Sequence, residues 1–239
     1  MSRWRRLLLL AATVAGALVT ARLGVWQLDR AAQKEALQAA ITARAALPVL
    51  RGGSALAEAP ADAAAQEHRR AQVEGTWLPS LTVHLDNRQM DGRPGFFVLT
   101  PLALADGTAL LVQRGWRPRD FEDRTRLAPL RTPAGIVTLE GRLARGVARL
   151  YAFEGAESGP IRQNLELPSF ATETGLRLRP LVLLQTSPAD DDLRRDWPLP
   201  AVDVHKHYGY AFQWFALCAL ILCLHVWFRV LRPRWQRRT

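Results

Sequence analysis

Cysteine is almost absent from this chain: two occur in 239 residues, Cys218 and Cys223, and both lie in one apolar run near the C-terminus. A disulfide framework is thereby excluded for everything upstream of that run. The pair itself does not bridge, because five residues on a helix separate the thiols by about 7.5 Å along the axis and turn them in different directions. Small apolar packing is their ordinary use. Acidic residues are also missing at both ends, with no Asp or Glu in residues 1–21 or 208–239. Arg3, Arg5, Arg6, Arg229, Arg232, Arg234, Arg237 and Arg238 supply +8 of the formal +10, leaving 24 basic and 22 acidic residues elsewhere. Charge placed this way fits a membrane protein with lipid as partner and gives no reason to expect nucleic acid. The sequence contains no GxSxG, HExxH, CxxC, P-loop or GxGxxG pattern. No catalytic residue and no metal-ligand set is assigned, so the chain reads as a non-enzyme.

Long apolar runs are what the sequence does have. Leu7–Ala21 extends through Leu28, and a span of residues 7–28 meets the roughly 20 residues a bilayer-crossing helix needs. Arg22 must then snorkel towards the interface where Trp26 sits. A cleavable leader is the alternative for this segment, given its arginine start and the Ala15-Gly16-Ala17 triplet. The second run, Tyr208–Phe228, is 21 residues without a formal charge, flanked by aromatics and followed by arginines; the span is taken as residues 207–228. Arginine-rich ends on both sides place the termini, 1–6 and 229–239, in the cytoplasm and residues 29–206 outside it. The arginines lead into the first span without a serine-rich presequence, which favours a bacterial inner membrane.

The expected fold class is a membrane α+β protein, two transmembrane helices flanking a mainly antiparallel β domain, as a small barrel or sandwich. Residues 29–46 lack Gly and Pro and continue the first helix. Residues 48–68 read as linker with one short helix, so 29–68 is extension and linker and 69–206 the exported domain. Strands are expected at 72–75, 81–85, 136–143, 151–153, 161–164 and 181–185. Residues 96–104 and 108–116 form a hairpin, with a tight two-residue turn at Asp106-Gly107. A short helix over 168–175 takes Ser169 as its cap. Asp190-Asp191-Asp192 reads as a solvated loop, and His68 and His84 as exposed histidines.

The densest chemistry is His205-Lys206-His207-Tyr208-Gly209-Tyr210-Ala211-Phe212-Gln213-Trp214. At 100° per residue His207, Ala211, Trp214, Cys218, Ile221 and His225 share one stripe, a face that ordinarily meets protein. His207 and His225 are about 27 Å apart along the axis and cannot hold one iron together. A haem held here would therefore use one protein ligand, His207, or take a second from His205, the exported domain, another copy or a partner; otherwise His207 is an interfacial histidine bonded to a headgroup or carbonyl.

Two runs resemble the signatures of the surfeit locus protein family of cytochrome c oxidase assembly factors. Leu23-Gly24-Val25-Trp26-Gln27-Leu28-Asp29-Arg30 is similar to LGxWQxxR, and His207, Tyr210, Ala211, Gln213 and Trp214 are similar to HxxYAxQW. Between them Val73-Glu74-Gly75, Phe97–Leu102, Leu111–Pro118 and Leu139-Glu140-Gly141 follow the family's order. Around Gln163-Asn164-Leu165 the chain departs from relatives that carry an aromatic after the Asn. The resemblance implies a factor maturing the haem-bearing subunit of an aa3-type oxidase, with haem a as cargo and that subunit and haem a synthase as partners. It implies His207 as haem ligand, with Tyr210 and Trp214 as flat surface beside the macrocycle. Arg114 and Arg117 are candidates for the propionates, or else Arg114-Gly115-Trp116 is a strand end packed in the core. Gly24, Trp26, Gln27, Arg30, Gly115, Trp116 and Gln213 are candidates for helix or partner contacts. A scaffold that holds the nascent subunit without touching haem is the alternative.

Overall fold

The computed structural model describes residues 3–120, 122–123, 126–150, 158–197 and 204–231. The chain divides into two compact units, residues 1–40 with 200–239, and residues 41–199. The strand expected at 151–153 lies outside the described residues.

In the first unit, helix α1 (Arg3–Ala46) runs without interruption through the apolar segment and the Ala-rich extension that follows. It stops before Pro48, whose ring disfavours helical backbone at the residue ahead of it. Helix α4 (Val204–Val226) ends in a π-helical turn, Trp227–Leu231. The least exposed positions of α4 are Val204, His207, Ala211, Trp214, Cys218, Ile221 and His225, spaced alternately by three and four, which is the stripe the sequence marks. On α1 the matching set is Thr13, Ala17, Thr20, Gly24, Gln27 and Ala31. The two rows meet antiparallel: Thr13 Oγ1 lies 2.9 Å from His225 Nδ1, the Cys218 thiol 3.4 Å from the Ala17 carbonyl, and Gln27 pairs with His207. Leu7–Leu10, Leu18, Phe212 and Leu220 point outward and are exposed. Both helices are long and apolar enough to cross a membrane, with only 11% and 6% of the apolar stretches buried, so they are compatible with insertion.

The second unit is β-rich. Its strands are β1 (Leu50–Arg51), β2 (Arg70–Trp77), β3 (Val83–Met90), β4 (Arg93–Ala103), β5 (Ala109–Pro118), β6 (Ile136–Ala144), β7 (Ile161–Arg162) and β8 (Leu178–Gln185). They are ordered β1-β2-β6-β8-β5-β4-β3-β7, and a further β2–β4 pairing joins the sheet to itself. Strands β2, β6, β8, β5 and β4 thus close a small barrel. β4 makes this possible by giving one edge to β3 along 93–99 and then to β2 at Leu102 and Ala103. All pairings around the barrel are antiparallel except β5 with β8.

The barrel interior is filled by alternate residues of its staves, including Val73, Trp77, Leu110, Val112, Leu139, Leu143, Leu181 and Leu183. Opposite faces of β4, β5 and β8 send Phe97, Leu99, Leu111 and Val182 into a second core beneath helix α3 (Leu167–Thr174). The stretch read as linker forms helix α2 (Pro60–Gln66) and contributes Leu56, Ala57 and Ala63 to the first core.

Three local expectations are corrected. Only Gly107 takes positive φ in the β4–β5 turn, because Gly107 N–H donates to Leu104 O and Leu104 N–H to Thr108 O, closing a three-residue loop. Ser169 caps nothing: Glu166 precedes α3, Pro168 fills its first turn, and Gly175 stops it in the left-handed region. His84 is buried, its ring edge-on to Phe96 at 6.0 Å.

The glycines of the two Glu-Gly motifs sit where neighbouring strands close in. A Cβ on Gly75 would collide with the Ala103 carbonyl, and one on Gly141 with the Leu184 carbonyl. Both positions are corners of the barrel, where a side chain has no room.

Candidate functional site

One polar pair of the helix seam joins Gln27 of the first signature motif to His207 of the second. His207 Nδ1 donates to Gln27 Oε1 at 2.7 Å, so a neutral ring keeps its lone pair on Nε2. This is the tautomer that a metal-binding histidine needs, with its orienting hydrogen bond already in place. One turn earlier, Gly24 lets the helices approach: a Cβ there would fall 2.8 Å from the Phe215 ring. About two turns beyond Gln27 on α1, Glu35 Oε1 accepts from the hydroxyl of Tyr208, the residue after His207, at 3.0 Å. Trp214 shares the seam with His207, while Tyr210 and Gln213 are exposed. Trp26 and Arg30 also face outward, the guanidinium 5.6 Å above the indole and bonded to Gln33 at 3.1 Å. The two signature motifs therefore divide into a seam set, Gly24, Gln27, His207 and Trp214, and an outward set, Trp26, Arg30, Tyr210 and Gln213.

In the β unit the arginine of the Arg114-Gly115-Trp116 run is buried. Val98 pairs with Gly115 and Leu99 with Gln113, so Arg114 is the extra residue of a β-bulge. Its guanidinium lies 4.6 Å over Trp77 and donates to Thr132 Oγ1 and the Arg131 carbonyl, both at 2.8 Å, and to Asp191 at 3.2 Å. Asp191 also accepts from Arg195 at 2.6 and 2.8 Å. Burial pushes the Arg114 guanidinium below its ordinary value, and Asp191 opposes that shift.

The solvated-loop reading of residues 190–192 fails at its middle residue. Asp191 is 4% exposed and holds two guanidinium groups, whereas Asp190 meets Arg131 at the surface. Gly115 leaves no room for a Cβ, which would sit 2.5 Å from Leu193 Cβ. Trp116 fills the second core and donates to the Arg88 carbonyl at 2.8 Å. Arg117 is partly exposed and donates to the Ala128 carbonyl at 2.8 Å.

Residues 14–219 match the SURF1 family. The chain belongs to that family, which is an assembly-factor family generally associated with cytochrome oxidase assembly. A SURF1-like protein of Monosiga brevicollis is 28% identical over 88% of this chain and 84% of its own length. One from Rickettsia bellii is 22% identical over 85% and 83%. One from Dictyostelium discoideum is 42% identical over a shorter match, 21% of this chain and 18% of that protein.

Sequence reasoning missed Asp191 and Arg195. The available signal was their i, i+4 spacing with opposite charge, combined with an arginine between the apolar run Ala109–Val112 and Trp116.

Proposed function

We propose that this SURF1 family member is an inner-membrane factor that helps deliver haem a to the haem-bearing subunit of an aa3-type oxidase, or helps that subunit mature. In this reading α1 and α4 span the bilayer, both termini are cytoplasmic, and residues 41–199 fold on the outer side. The observation that carries it is the Gln27–His207 hydrogen bond, which pairs one residue from each signature motif and leaves Nε2 free to meet iron. Haem is cargo here. His207 would hold the iron through Nε2, with Trp214 and Tyr210 offering flat apolar surface on the same helix. Arg114 is committed to Asp191 in the β unit and takes no part.

The visible spectrum of the full chain, purified in detergent from cells that make haem a, tests the reading. A Soret band that His207→Ala loses and Gln27→Leu weakens supports haem handling. A colourless, folded protein moves the weight to a scaffold that binds the oxidase subunit through its helices. That second reading is favoured by the same hydrogen bond taken alone, because a polar pair across a helix seam also stabilises the pair without cargo. Alkaline extraction of membranes and protease treatment of spheroplasts test the placement separately. The chain should stay with the membrane and lose its β unit to protease.

A further inference from the structure

A groove of ≈ 400 Å³ runs along the outer face of β2 and β6. Four arginines line it, Arg51, Arg70, Arg142 and Arg195, against one acid, Glu140, and Trp197 forms part of one wall. Register places Arg70 directly opposite Arg142, and like charges so placed on neighbouring strands destabilise a sheet. The next pair on the same face is compensated. Gln72 Nε2 donates to Glu140 at 3.2 Å while its Oε1 accepts from Arg51. Arg195 has Asp191, yet its Nε is buried with no acceptor. Among the described residues, neither Arg70 nor Arg142 has a carboxylate within 4.0 Å. Burial pushes Arg142 below its ordinary value with no acid to raise it.

We propose that this groove is a binding site for a dianionic phosphate monoester, held between the Arg70 and Arg142 guanidinium groups with its organic body against Trp197. Two uncompensated charges on side chains whose Cα atoms are about 5 Å apart match one phosphate of charge close to −2 better than one carboxylate. Guanidinium forks supply the paired N–H donors that phosphate oxygens accept.

The test uses the full chain in detergent and phosphate-free buffer, titrated calorimetrically with inorganic phosphate, with glycerol 3-phosphate and with phosphatidic acid in mixed micelles. One saturable site is expected, weakened at least about tenfold in an R70Q/R142Q variant. Without ligand that variant should melt no lower than the parent, since a repulsive pair has been removed. Phosphatidic acid binding more than about tenfold tighter than glycerol 3-phosphate assigns a lipid source, and the reverse assigns a soluble ester. Absence of binding by all three, equal binding by the variant, or displacement by acetate as readily as by phosphate overturns the proposal.

Discussion

The helical unit and the β unit bury opposite kinds of residue. Along the helix seam the sheltered positions are Ala17, Thr20, Gly24, Gln27, Ala31, His207 and Ala211, and the leucines face out. In the β unit Trp77, Trp116 and the core leucines are inside, and buried guanidinium groups are held by acids, Arg114 and Arg195 by Asp191, Arg162 by Glu173 and Arg179 by Asp106. A chain folding wholly in water would treat both units alike. The inversion is what hydrocarbon around the helices and water around the barrel would produce, because lipid removes the advantage of burying leucine and rewards small and hydrogen-bonding residues at the seam. It is the physical support for the membrane placement proposed above.

The comparison breaks most easily at the barrel's buried charges. Asp191→Ala leaves two guanidinium groups facing each other without their acid and should cost about 3–5 kcal/mol, read as a lower denaturation midpoint of the full chain. Acid attacks the same unit through His84. Burial, helped by nearby Arg117, holds its imidazole at about 4 against an ordinary 6.5. The unfolded histidine takes up a proton as pH falls through 6.5 while the folded one waits until about 4. The stability contributed by the neutral ring is therefore complete above that window and is lost through it, by up to about 1.4 kcal/mol per pH unit. A His84→Leu variant should flatten that limb of a stability–pH curve. Gly141→Ala forces a methyl against the Leu184 carbonyl and should cost ~1–3 kcal/mol, with faster amide exchange in β6 and β8 as its signature. In the seam, Gln27→Leu should cost only about 0.6–2 kcal/mol, measured as weaker α1–α4 proximity by spin-label distances in nanodiscs. Asp190→Ala, at the exposed neighbour of Asp191, should leave the melting curve unchanged.

What the sequence made legible was periodic. The spacing of His207, Ala211, Trp214, Cys218 and Ile221 specifies one helix face, and that face is the least exposed one of α4. Alternation and the Asp-Gly turn likewise place β4 and β5, although the turn is one residue longer than expected. What stayed hidden was pairing between distant segments. Nothing near Asp191 in sequence announces Arg114, 77 residues away. The bulge that aims Arg114 into the barrel depends on how β5 registers with β4. His84 looked exposed because it follows an apolar–polar alternation, yet Val83, His84 and Leu85 are buried in succession, so both faces of β3 are covered there, with Phe96 against His84. Among the signature residues, Gln27 and Gln213 look equivalent on paper, and only the helix pairing sends one to the seam and the other outward.

The order of the staves also governs how the chain can be made. β8 lies between β5 and β6, so synthesis must pass Leu178 before the barrel can close. Until then β5 and β6 each present an unpaired edge, and the residues that pair between β5 and β8 lie about 70 positions apart in the chain. α4 starts 19 residues after β8 ends, so the last stave and the second apolar helix leave the ribosome almost together. A nascent chain halted before residue 178 would expose two sticky strand edges and lack the second helix as well.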